Sequence, residues 1–171
     1  MITKVINIFG GPGVGKTTQA HDLFVQMKKK GMSVDLIPEY AKKLVYRKSL
    51  DVLKYDQLYI FGKQRHEYII RQNSNVQYLI CDSPLPLSIA YNRITKSEDN
   101  PFFEPFVWHE FNKFDNMNIF LRRETIYDPN GRTQTEEQAK EVDLVVKEVI
   151  KDLKFVEMGL DKFTDRVIEM L

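Results

Sequence analysis

A strand, a glycine turn and a helix succeed one another at the start of this chain, and together they leave few folds open. Lys4-Val5-Ile6-Asn7-Ile8-Phe9 reads as a short buried strand, and it runs straight into Gly10-Gly11-Pro12-Gly13-Val14-Gly15-Lys16-Thr17. Ala20, Leu23, Phe24 and Met27 then fall at i, i+3, i+4 and i+7, the spacing of one helix face. The turn fits the pattern G-x-x-x-x-G-K-[ST], in which glycines let backbone N–H groups curl around a polyphosphate. A helix N-terminus placed just after such a turn adds its own free N–H groups and the positive end of its dipole. The phosphate-binding set is therefore Gly11, Gly13, Val14, Gly15, Lys16, Thr17 and Thr18, with Lys16 as the charge for the β/γ-phosphates and the Thr17 hydroxyl as a Mg²⁺ ligand. The ligand this predicts is ATP with Mg²⁺.

The rest of the composition narrows the class. The chain has 171 residues, 43% of them hydrophobic and 29% charged, which suits one domain with a real core, residues 1–171. Lys+Arg number 25 against 24 Asp+Glu, so no global basic field advertises nucleic acid or a membrane surface. Lys28-Lys29-Lys30, Lys42-Lys43 and Arg122-Arg123 are local basic clusters, read as solvated helix faces or anion pockets. The lone Cys81 precludes an internal disulfide and points to a buried thiol in a reducing compartment. His21, His66 and His109 show no metal-ligand spacing. No apolar run approaches the length of a membrane span, and a cytoplasmic location is expected, the host cytoplasm if the protein is viral.

Strands and helices alternate along the chain. Ser33 to Pro38 reads as a second strand, followed by a long helix from an Asp51 N-cap to about Gln72. Val76 to Cys81 is a third strand, and Pro84-Leu85-Pro86 opens a helix. Helical spacing recurs at Phe103, Phe106, Val107 and Phe114, and the stripe is assigned to core rather than to base stacking by Trp108. Asn118 to Leu121 is a fourth strand. Val142, Val145, Val146, Val149, Ile150 and Leu153 mark the clearest helix, begun near Thr135, before a strand at Phe155 to Met158 and a closing helix from Leu160 to Leu171. The expected fold is α/β: a three-layer P-loop NTPase fold with a five-stranded, mostly parallel sheet and a small lid at about 122–134. Ligands in such sheets collect at the carboxyl ends of the strands, which puts the glycine turn, Glu39 and Asp82 on one rim.

Three chemistries compete for that rim. A GTPase needs N-K-x-D and D-x-x-G in a set order, but Asn112-Lys113-Phe114-Asp115 and Asp128-Pro129-Asn130-Gly131 occur in the reverse order, the first ending a helical stretch. A motor or remodelling ATPase usually needs more chain. A small-molecule kinase accounts for more residues: a carboxylate beside the acceptor hydroxyl takes its proton, and Glu39 and Asp82 stand at consecutive strand ends. Either is the base while the other holds Mg²⁺ or orients the acceptor. The competing reading makes each a helix cap.

Gly10 to Thr18, Pro38-Glu39-Tyr40-Ala41, the helix from Asp56-Gln57 to Gln64, and Cys81-Asp82-Ser83-Pro84-Leu85 resemble the P-loop nucleoside/nucleotide kinases, most closely the ribosylnicotinamide-kinase-like and small phage-type members. The resemblance covers roughly the first 95 residues well and implies substrate and metal contacts for Glu39 and Asp82. It also implies a base-reading glutamine, Gln57 or Gln64, which share a helix face with Phe61 beside them. Asp82-Ser83-Pro84 lacks the arginine found there in many deoxynucleoside kinases.

Arg122 to Arg132 lies where kinases of this architecture carry a mobile lid, whose arginines neutralise charge on the transferring phosphoryl group; the competing reading is a solvated basic loop. Arg132, after the turn pair Asn130-Gly131, is the expected catalytic arginine, with Arg122 and Arg123 within reach. Arg93 would bind an acceptor phosphate if the substrate is a monophosphate. The expectation is an ATP- and Mg²⁺-dependent kinase, with Lys16, Glu39, Asp82 and Arg132 catalytic, Thr17 and Asp82 at the metal, and a nucleoside- or nucleotide-like hydroxyl as acceptor. Two alternatives stand beside it: a kinase acting on a modified base or another group of a polynucleotide, and an ATPase switch with no small acceptor. Near-zero net charge weighs against a strand, and a basic stripe beside the Asp82 rim would weigh for one.

Overall fold

Alternation of side chains along the central strand sets the architecture. In β1 (Lys4–Phe9) every residue after Lys4 is buried, because the strand lies between two others and both its faces are covered. The computed structural model describes residues 3–72, 75–124, 126–128 and 134–171. Its remaining strands are β2 (Val34–Ile37), β3 (Tyr78–Cys81), β4 (Asp115–Leu121) and β5 (Phe155–Met158), in the order β2-β3-β1-β4-β5 with every pairing parallel. Ile6 and Ile8 point to one side, with Ile80, Ile119 and Leu121, and are covered by α1 (Lys16–Lys29) and α8 (Phe163–Glu169). Val5 and Phe9 point to the other side, with Leu79, Cys81 and Phe120. There α4 (Gln57–Gln72), α5 (Leu87–Thr95), α6 (Phe103–Phe111) and α7 (Glu136–Ile150) cover them. Each large apolar side chain so buried, such as Phe9 or Leu23, contributes about 2–3 kcal/mol.

One polar residue interrupts the apolar strand. Asn7 is fully buried, and its amide donates across to Asn116 and Asn118 of β4 at 2.9 and 3.1 Å. The Tyr68 hydroxyl approaches Asn7 Oδ1 at 3.4 Å and donates to Cys81 Sγ at 2.8 Å. Burial pushes the Cys81 thiol up to about 12, although the bond from Tyr68 pulls it the other way, so it is an inert core group as its sequence position suggests.

The elements follow the sequence pattern with three differences. The helix expected from Asp51 to Gln72 is two, α3 (Leu50–Tyr55) and α4, and a further short helix, α2 (Ala41–Tyr46), precedes them. Asp56 makes the break by taking φ −141° and ψ 67°, and its carboxylate accepts from Tyr59 N at 2.8 Å to cap α4. Asp51 therefore lies within the first turn of α3, whose N-cap is Ser49. β4 begins earlier than Asn118, since polar Asp115, Asn116 and Asn118 hide the apolar alternation but pair in register with Lys4, Val5 and Asn7. The closing helix starts only at Phe163, after Lys162 adopts a left-handed φ of 49°. Thr135 caps α7 through a reciprocal pair with Gln138, as its position before Glu136 and Glu137 suggests. Among the described residues no helix is long and apolar enough to cross a membrane.

Candidate active site at the glycine turn

The turn between β1 and α1 is held open toward the strands' carboxyl ends. Gly13 and Gly15 take φ of +81° and +99°, left-handed positions that a side chain would strain. Gly15 is the N-cap of α1 and supplies no side-chain bond to the helix's first N–H groups, leaving them for an anion. Val14 is fully buried in the core, so only its backbone faces a ligand. Lys16 Nζ donates to Gly11 O at 2.8 Å, folded back over the turn. Thr18 is exposed at the cleft edge.

Asp82, at the end of β3, comes to this turn as expected. Its Oδ2 accepts from Thr17 Oγ1 at 2.7 Å, while Oδ1 is buried with no hydrogen-bond partner. Helix capping is not its role, because the N-cap of α5 is Pro86 and no side chain caps it. A buried carboxylate oxygen without a donor costs desolvation that a cation offsets, so the pair Thr17 and Asp82 fits Mg²⁺. Among the described residues no group of three or more His, Cys, Asp and Glu gathers as a metal cage.

A cleft of about 270 Å³ opens beside the pair. Its floor includes Lys16, Thr17, Glu39 and Ser83, and its apolar wall Val45, Leu53, Ile60, Phe61 and Leu87. Glu39 is half-buried here, one residue ahead of Tyr40, the N-cap of α2, which carries no side-chain cap. Gln57 and Gln64 both face the cleft, on one face of α4 with Phe61. Gln64 spends its amide on the chain: Nε2 donates to Pro38 O at 3.1 Å and Oε1 accepts from Tyr40 N at 3.0 Å, which fixes the loop bearing Glu39. Gln57 donates to Leu53 O at 2.9 Å.

Arg93 does not reach this cleft. It grips Glu104 with Nε and Nη2 at 2.9 and 2.7 Å and borders a separate depression beside Trp108. That bond raises the guanidinium's pKa and lowers that of Glu104. Placement on the outer side of α5 thus removes it from any acceptor phosphate. Trp108 is only partly buried, packing edge-on against Phe111 at 5.8 Å on the margin of the core, and Phe106 of the same stripe is exposed, so only Phe103, Val107 and Phe111 of α6 are core apolar residues. Asn112 to Asp115 lies at the amino end of β4, across the sheet from the glycine turn, with Lys113 bound to Glu110. Guanine reading by that tetrad is geometrically excluded. Arg132 lies outside the described residues, as do 125, 129–131 and 133 of the expected lid.

Among the described residues, the arginine that reaches the turn is Arg123, just past β4. It donates to Asp143 Oδ2 at 2.8 Å, Pro12 O at 2.9 Å and Ala139 O at 3.3 Å. Asp143 Oδ1 in turn accepts from Gly11 N at 2.5 Å. The remaining Arg123 nitrogen, Nη1, is buried without a hydrogen-bond partner beside Gly13. Tyr127 lays its ring over Gly13, where a Cβ would come within 2.9 Å of it, and donates its hydroxyl to Gln134 O at 2.5 Å. Asp143 escapes sequence reading, though one signal exists: it is a charge on the buried stripe, four residues after Ala139 and three before Val146. Tyr127 gives no such signal.

A parallel sheet ordered 2-3-1-4-5, a glycine turn after its first strand and a Thr–Asp pair beside neighbouring strand ends define a P-loop NTPase fold. A family model described as an AAA domain (AAA_28) matches residues 5–162, and the chain belongs to that family. Its fold is shared by NadR in complex with NR (TM-score 0.68, 18% identity, 91% of this chain and 45% of that one). It is shared also by NadR in complex with NAD and AMP-PNP (0.68, 15%, 99% and 49%). Deoxyadenosine kinase from M. mycoides with bound dCTP is a third match (0.61, 17%, 97% and 97%). The chain spans less than half the length of the NadR chains. None of the curated proteins matches its sequence.

Proposed function

We propose that this protein transfers the γ-phosphoryl group of ATP to a hydroxyl of a nucleoside- or nucleotide-like small molecule. The observation that carries the reading is the Thr17–Asp82 pair with its unpartnered Asp82 Oδ1, set between a phosphate-binding turn and a cleft that holds a second carboxylate, Glu39. The turn's N–H groups, Lys16 and Arg123 Nη1 bind the triphosphate. Thr17 and Asp82 would hold Mg²⁺, which would supply neutralising charge to the phosphates, while Lys16 and Arg123 face the group whose bond to the β,γ-bridging oxygen breaks. Because Asp82 is engaged with Thr17, Glu39 is the group that takes the acceptor's proton as its oxygen bonds to phosphorus and ADP departs. The apolar wall from Val45 to Leu87 suits a base or nicotinamide-like ring, and Gln57 suits its polar edge. NadR with NR and deoxyadenosine kinase with dCTP are fold relatives of the kind expected for such an acceptor.

The test is an ATP-consumption panel over nucleosides, nucleoside monophosphates, ribosylnicotinamide and hydroxymethylated DNA, repeated with Asp82→Asn and Glu39→Gln. We expect acceptor-dependent ADP release, reduced at least a hundredfold in either variant with folding intact. ATP hydrolysis indifferent to every acceptor would instead favour an ATPase switch, and full activity in both variants removes the carboxylate roles.

A further inference from the structure

The net charge of +1 conceals a local excess on one lip of the cleft. Residues 40–63 carry Lys42, Lys43, Arg47, Lys48, Lys54 and Lys63 against Asp51 and Asp56, a net +4 that leaves −3 for the remainder of the chain. Lys42 lines the cleft itself, and the other five cations are exposed. No ion pair holds any of the six among the described residues, whereas the next cation, Arg65, is bound to Glu110. Asp56 already caps α4.

Aromatic rings are interleaved with these charges. Tyr40 and Tyr59 meet edge to face at 5.9 Å, with their hydroxyls 2.8 Å apart. Lys43 Nζ stands 5.8 Å from the Tyr40 ring and Lys63 Nζ 5.4 Å from the Tyr59 ring. The charge of Arg47 is also felt at the Tyr40 phenol, and Tyr46 and Tyr55 are exposed nearby in sequence at 67% and 60%. Lysines and a tyrosine pair thus form one continuous strip from the cleft mouth at Lys42 to α4. Phenol rings offer stacking faces to any base, and cations spaced among them track a phosphate backbone, the combination by which proteins hold single strands. A membrane surface asks for cations but not for stacking rings beside a nucleoside-sized cleft.

We propose that this lip, from Tyr40 to Lys63, is a binding surface for single-stranded nucleic acid. It stands apart from the phosphoryl-transfer reading, because binding to the lip requires neither ATP nor transfer. A strand laid along it passes the mouth of the cleft at Lys42.

Fluorescence anisotropy of a labelled twenty-nucleotide oligothymidylate with the full chain tests it in the absence of ATP. Neutralising five phosphates gives a slope of log affinity against log salt of about −3.5, or roughly a hundredfold loss between 50 and 200 mM salt. Lys43→Gln, Arg47→Gln and Lys63→Gln together leave about two contacts, a slope near −1.4 and a loss under tenfold over the same range. Tyr59→Leu weakens the strand roughly tenfold while keeping the salt slope, a result that simple charge attraction does not produce. Binding of a fluorescent ATP analogue stays unchanged in these variants and shows that they are folded. Four outcomes overturn the proposal: no saturable binding at 50 mM salt, an unaltered slope in the triple variant, tighter binding to duplex, or binding only to phosphatidylserine vesicles.

Discussion

Arg123→Gln is the perturbation that most directly probes how the phosphate turn is held. The guanidinium and Asp143 are only 12% and 15% exposed, so the variant leaves a carboxylate largely out of water with the Gly11 N–H as its remaining donor. Breaking a pair of this burial by removing one partner costs about 3 kcal/mol, at the low end of the range for fully buried pairs. Asp143→Asn is milder, about 2 kcal/mol, because the amide oxygen still accepts from Gly11 and Arg123 retains Pro12 O and Ala139 O. The double variant strands no charge, and we expect about 3 kcal/mol in total, so the two single losses overshoot it by about 2 kcal/mol. Urea unfolding reads this directly: with a slope near 2 kcal/mol/M, Arg123→Gln lowers the midpoint by about 1.5 M, and adding Asp143→Asn lowers it hardly further. If the double variant instead loses the full sum to within about 0.5 kcal/mol, Arg123 and Asp143 act independently and do not hold the turn as a pair.

Two further outcomes follow from burial. Glu110 is desolvated, which alone raises a carboxyl, but bonds from Lys113 and Arg65 outweigh this and hold it below the usual carboxylate range. Its contribution is therefore full above the ordinary value near pH 4.3 and lost as pH falls through the lowered folded value. Thermal melts should show Glu110→Gln less stable at pH 7, with the gap narrowing as pH falls below the usual carboxylate range; a constant gap would falsify the ion-pair account. Cys81, with its thiol pushed up to about 12 by burial, should ignore a thiol reagent at pH 8 in the native protein and react fully once unfolded in urea. Rapid native labelling would show that β3 opens far more readily than its packing implies.

The local pattern of the chain was enough for the layered α/β fold and for one rim bearing the glycine turn, Glu39 and Asp82. Those readings rest on short-range physics: alternation of apolar residues, positive φ at glycines, and the rule that parallel strands present their carboxyl ends together. The break at Asp56 was invisible because a helix that stops for one residue leaves the apolar periodicity almost intact. Three things belong to the tertiary structure alone. Arg93 and Arg123 look alike in sequence, yet Glu104 holds one on the outer face of α5 while Asp143 draws the other against the turn. Gln64 and Gln57 share a stripe, yet the first is spent on the Glu39 loop. The charge excess of residues 40–63 can be counted in the sequence, but only folding brings Tyr40 against Tyr59 and so sets Lys43 and Lys63 beside one pair of rings.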